Sequence, residues 1–217
     1  MASALEEQNS QILDEIWDVA NSHIDKVITS DQERQFIMSI AMGSTVAAEI
    51  FLNNCESIRP FWREGSVDKG KEICALFSFI MLSQCYRWIN QQPGADPNAN
   101  LPKEVMSTKL MYIFEVAPER WMEDFGRFDV QFNYDLDNHP HIIHLSAMLI
   151  ARICQICGHQ CLTWNKIEFP VHEFKDIVDP NVLLDGAPLR EQKDINVVAT
   201  AISTGIDAMN KYIEEAN

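Results

Sequence analysis

Apolar side chains recur every three or four residues along most of this chain, and that period limits the fold more than any other feature. Ile12, Ile16, Val19, His23 and Val27 form one stripe, with Leu13, Trp17, Ala20 and Ile24 beside it. Ahead of it, Ser3-x-x-Glu6 has the form of a capping box, in which a hydroxyl and a carboxylate reciprocally satisfy the free N–H groups of a helix start. Together they predict a helix over 4–28. Ser30-x-x-Glu33 is a second box, opening a helix to about 55 whose stripe is Ile37, Ile40, Ser44, Ala47, Phe51 and Cys55. Gly43, Ser44, Ala47 and Ala48 on that helix are small enough for another helix to approach closely. A third helix, over 67–90, is apolar on most sides between Ile73 and Met81, as expected of the central helix of a bundle.

Residues 93–102 hold three prolines, a glycine and two asparagines, which cannot continue a helix. Pro102 then suits the first turn of a helix reaching about 116, and Pro118 interrupts before a short turn over 119–125. Two further helices are predicted, over 140–164 and 189–215. The last carries a stripe of Ile195, Val198, Ile202, Ile206, Met209 and Ile213. One segment changes period: Phe128, Val130, Phe132, Tyr134 and Leu136 alternate with Asp129, Gln131, Asn133, Asp135 and Asp137, a strand signal. Ile167, Phe169 and Val171 alternate more weakly, and Pro170 restricts them to an edge. The expected fold is mainly α: a helical bundle of about six helices with a minor extended element near 128–136. The chain, 217 residues long, fits a single domain over 1–217, with lobes 1–92 and 101–217 joined by the loop 93–100 as the alternative division.

Charge narrows the partners. The formal net charge is −15, and nucleic-acid or anionic-membrane binding needs clustered Lys and Arg instead. The acids are dispersed, with Glu6, Glu7, Asp14, Glu15 and Asp18 near one end and Glu214 and Glu215 near the other. The most apolar run, 73–82, falls short of the roughly 20 residues a bilayer requires. The opening residues lack a basic start followed by an apolar run. The expectation is a cytoplasmic protein with reduced thiols that binds neither nucleic acid nor membrane.

Three places offer chemistry. The window 139–161 holds four of the six histidines and three of the six cysteines. Cys154, Cys157 and Cys161 fall at i, i+3 and i+7, so on a continuous helix they share a face with Ile150 and Trp164. Cys154 and Cys161 would start about 10 Å apart along the axis, too far to share a zinc at about 2.3 Å. The run C-x-x-C-Gly158-His159 differs from a haem-attachment motif by its extra glycine, which turns the imidazole away. These cysteines read as core.

Asp135, Asp137, His139, His141 and His144 have the residue types for a divalent metal such as zinc or iron, or for acid–base work. The competing task is local: Asp137 and Asn138 suit the cap of the helix that Pro140 enters, and a helix N-terminus disfavours a cation. The loop 59–65 carries Arg59, Phe61, Trp62 and Arg63, residue types that anchor protein interfaces. Its alternative is that the aromatics fold back and plug the bundle end.

No phosphate-binding glycine loop, nucleophile elbow, H-E-x-x-H or paired Glu-x-x-His occurs. The reading is therefore a non-enzymatic acidic interaction protein without a cofactor, such as a stoichiometric inhibitor, immunity-type protein or regulatory adaptor, with a basic protein as partner. Its alternatives are a metal-dependent enzyme or sensor using 135–144, and a sensor holding an apolar small molecule between helices. Self-association as a homodimer is expected through the extended element, whose single apolar face needs a partner.

Overall fold

The computed structural model describes residues 2–94, 102–117, 139–158, 161–164, 167–170 and 189–216. Among them lie six α-helices: α1 Ala4–His23, α2 Asp31–Asn54, α3 Val67–Gln91, α4 Lys103–Ile113, α5 His139–Ile156 and α6 Leu189–Ala216. A 3₁₀ turn, Ile24–Lys26, follows α1, and a short antiparallel pair, β1 Cys161–Trp164 and β2 Ile167–Pro170, follows α5. The protein is a mainly α helical bundle.

Local chemistry explains the helix starts. The Ser3 hydroxyl accepts from Glu6 N at 3.2 Å while the Glu6 carboxylate accepts from Ser3 N, the complete capping box. Ser30 accepts from Glu33 N at 3.2 Å and Ser66 from Lys69 N at 3.3 Å, starting α2 and α3. At the second box the glutamate does something else. Glu33 Oε2 accepts from the N–H and, at 2.8 Å, the hydroxyl of Thr29, and Oε1 pairs with Lys109 of α4. A local cap thus becomes a tie between two helices.

The core is one cluster that draws on all six helices. Its closest approach joins α2 and α6, where Gly43 and Gly205 face each other backbone to backbone. A Cβ on Gly43 would stand 2.6 Å from Gly205 O, and one on Gly205 would stand 2.6 Å from Gly43 O. Ala47 lies beside them, so the small residues of α2 serve the close crossing their size suggested. At a second crossing, Gly70 of α3 receives the side chains of Ile12 and Ile16 from α1. The central stretch of α3, Ile73–Leu82, is buried on every side, in keeping with its all-round apolarity. Among the described residues α2 has the length and composition to cross a membrane, and most of it is buried inside this core.

Several boundaries differ from the periodic reading. The first helix ends at His23 instead of near 28, because a 3₁₀ turn draws Ile24 into the core and redirects the chain towards α2. The fourth ends at Ile113, where the chain passes through a left-handed residue, Glu115. The fifth ends at Ile156 and not near 164: Gly158 takes φ +100, a conformation open to glycine, and Cys161–Trp164 then extends and pairs with Ile167–Pro170. Cys161 is therefore on a strand, and the three-cysteine helical stripe does not form. The weak alternation near 167 does mark a strand, with β1 as its partner. The expected element at 128–136 lies outside the described residues.

Candidate functional site

The loop 59–65 is built around Trp62, which is 1% exposed. Its indole N–H donates to Asn9 Oδ1 of α1 at 2.7 Å, and the Asn9 amide in turn donates to Asn53 Oδ1 of α2. Gly65 lies flat on the ring, where a Cβ would meet Cε2 and Cζ2 at 2.7 Å. Trp62 therefore cannot be offered to a partner: the bundle end between α1 and α2 is closed by it, and its one polar atom is satisfied inside. Phe61 is half-buried against the same cluster. Arg59 and Arg63 are exposed, and the Arg59 guanidinium donates to Asn53 O at 3.3 Å. Of the four residues nominated here, the structure buries Trp62, half-buries Phe61 and leaves Arg59 and Arg63 exposed.

Asp135 and Asp137 lie outside the described residues. His139, His141 and His144 belong to the backbone of α5, whose first residue is His139, and their side chains are likewise outside the description. Among the described residues, no three His, Cys, Asp or Glu side chains gather as a metal-binding group. Among the described residues, Cys55, Cys74 and Cys154 are free and buried, and Cys85 and Cys157 are free and half-buried. Burial pushes Cys85 and Cys154 up to about 12 and Cys157 up to about 11, and it pushes Cys74 higher still. A thiol held so far above neutral pH is a poor nucleophile and a poor metal ligand.

Among the described residues, Asp194, Glu33 and Glu115 each tie separate elements together; the sequence marked only Glu33, and only as a local cap. Asp194, on α6 and fully buried, accepts from Glu56 N at 2.9 Å, Ser57 N at 3.2 Å and the Ser57 hydroxyl, so α6 caps the turn that leaves α2. Burial and then the Asp194 charge raise the neighbouring Cys55 thiol well above its usual value. Burial works against ionisation of Glu33, but Lys109 and Thr29 more than offset it and hold that carboxyl below its ordinary range. Glu115 pairs with Lys71 of α3, lies 3.6 Å from His23 Nε2 of α1, and is held below the ordinary range chiefly by the Lys71 hydrogen bond. Beyond the capping box at Glu33, an Asp beside an apolar stripe, as at 194, is the sequence sign that could have flagged these.

The surface is where unspent charge lies. Glu7, Asp14 and Asp18 fall on one outer line of α1, with Glu15 beside them, all exposed. Asp14 has a further effect inward: burial first, then the Asp14 charge, raises the half-buried Glu49 of α2 above the ordinary range. Trp17 of α1 meets Tyr212 of α6 edge-on at 6.3 Å, bringing the exposed Glu214 at the end of α6 towards this line, while Glu215 pairs with Lys211 at 3.6 Å. Trp88, Val105 and Tyr112 are the exposed large apolar side chains among the described residues. The chain matches no known protein-family model, no curated protein and no solved structure.

Proposed function

We propose that this is a non-enzymatic interaction protein whose acidic face binds a basic protein partner. The observation that carries the reading is the exposed line Glu7, Asp14 and Asp18 on α1, in a chain of net charge −15. Carboxylates on a rigid helix hold a fixed field, which concentrates and orients a cationic surface before contact. The raised pKa of Glu49 supports it: burial first, and then the Asp14 charge, disfavours its ionised form, and a cation supplied by a partner would relieve the second of these. The described thiols are held protonated, and the buried carboxylates at 33 and 194 and the exposed one at 115 are engaged in joining helices.

The test is capture from an extract of the source cells, followed by kinetics with the purified partner. The expected partner is basic, and its association slows about tenfold when salt rises from about 0.05 M to about 0.3 M. It also slows when Asp14 and Asp18 are both replaced by lysine, with the dissociation rate changed much less. A partner that associates at the same rate across that range, and equally with the charge-reversed variant, would sink the reading.

A further inference from the structure

The end of α4 is closed by paired backbone hydrogen bonds: Glu115 N donates to Tyr112 O at 3.0 Å, and Val116 N donates back to Met111 O at 2.8 Å. In this arrangement the residue after the helix adopts the left-handed conformation, and glycine usually occupies it. Here it is Glu115, at φ +55, the one non-glycine with positive φ among the described residues. A β-carbon is disfavoured there, so the side chain must supply something that glycine cannot. What it supplies is a carboxylate bridging two elements: Oε2 accepts from Lys71 of α3, and Oε1 faces His23 Nε2, at the end of α1, at 3.6 Å.

We propose that His23, Glu115 and Lys71 form a proton-operated latch that sets how firmly the end of α4 is held against α1 and α3. Lys71 from α3 and Lys26 from the turn after α1 act on the Glu115 carboxylate, Tyr112 from α4 lies against the imidazole, and the second ring nitrogen, Nδ1, is buried with no hydrogen-bond partner among the described residues. Tyr112 lies edge-on to the imidazole, 5.9 Å between centroids. When His23 is protonated it pairs with the Glu115 oxygen that Lys71 leaves open, and the negative end of the α1 dipole favours the same charge. Lys71 and Lys26 oppose it, but Lys71 is bound to the other oxygen and Lys26 is exposed and screened. Deprotonation leaves a neutral ring 3.6 Å from the carboxylate and removes one of the two ties. The latch therefore tightens when the imidazole carries a proton and slackens when it is neutral. It acts at the point where the chain leaves α4 towards residue 118.

Native-state hydrogen exchange by NMR on the full chain, from about pH 5 to about pH 8, tests this across the range in which histidine titrates. The amides to follow are Phe114, Glu115 and Val116, each expressed as a protection factor relative to buried amides of α2. The wild type should show roughly threefold greater protection at the acid end, the factor expected of a part-exposed ion pair. His23→Gln should flatten the profile. Glu115→Gly should also flatten it while keeping the protein folded, because glycine relieves the backbone at that position. A flat wild-type profile, or a step that survives in either variant, would overturn the latch.

Discussion

Trp62 sits between α1, α2 and its own loop, with Asn9 accepting from its indole and Gly65 stacked on its face. Removing the ring empties a closed site and leaves Asn9 Oδ1 without its donor. Trp62→Ala is expected to cost about 3–5 kcal/mol, and Trp62→Phe, which keeps most of the volume, about 1–3 kcal/mol. Arg63→Ala, on an exposed side chain of the same loop, should stay within about 0.5 kcal/mol. Denaturant midpoints of the three variants check the ranking, and a Trp62→Ala protein as stable as Arg63→Ala would mean the ring is not a plug. At this scale the sequence was legible only in part. Ser3 and Glu6 declare their cap because both partners lie within one turn. Trp62 does not declare its fate, because the asparagine that accepts from it is 53 positions away. An aromatic beside an arginine reads as an interface anchor until the tertiary partner is known. Glu115 was invisible for a different reason: left-handed backbone is a property of the whole helix end, and nothing about a glutamate announces it.

Helix positions follow from periodicity, because burial of a stripe needs only residues three and four apart. Helix ends do not, since they depend on what the chain must reach next. Gly158 stopped α5 short of the predicted 164, although an isolated glycine in an apolar period reads as tolerable. The close crossing of α2 and α6 was half-legible: Gly43 and Ala47 announced a small face, while Gly205, which completes it, lies 162 positions on and carries no such sign. The crossing makes a directional prediction. Gly43→Ala sets a Cβ 2.6 Å from a backbone oxygen that cannot step aside, and should destabilise by about 1–3 kcal/mol despite the better helix propensity of alanine. Gly70→Ala meets side-chain methyls only, the Ile16 Cδ1 tip at 2.6 Å and Ile12 Cγ2 at 3.0 Å, and no backbone. Its cost should be offset by propensity to within about 1 kcal/mol of neutral. Thermal unfolding of both variants decides it; equal losses would mean that the two crossings are equally deformable.

For the molecule as a whole, the formal charge of −15 was legible from composition, and it bears on stability as well as on partners. The ion pair Lys109–Glu33 is local and largely buried, so salt screens it little, and Lys71–Glu115, with its carboxylate exposed, is a short-range contact; repulsion among exposed acids is long-ranged and screened within about 10 Å at 0.1 M salt. Added potassium chloride should therefore raise the unfolding midpoint by a few degrees at pH 7, on the order of 1 kcal/mol. Lowering the pH should act in the same direction at first. Protonating the six histidines alone brings −15 to −9. Glu49 is raised in the folded state, so its ionised form opposes folding, and that cost disappears as the pH falls through its elevated pKa. Glu33 and Glu115 work the other way. Their folded-state values are depressed, so the stability they contribute is fully present above the ordinary carboxyl value of 4.5 and is lost only as the pH falls below it towards their own. The two groups of effects occupy different pH ranges and place the maximum of stability near about pH 5 instead of at neutrality. Thermal unfolding across pH 3 to 8 at low and high potassium chloride measures both. A midpoint that falls steadily from neutral pH, and falls with added salt, would mean that local ion pairs outweigh the repulsion of the surface, and that the acidic face is already neutralised within the chain.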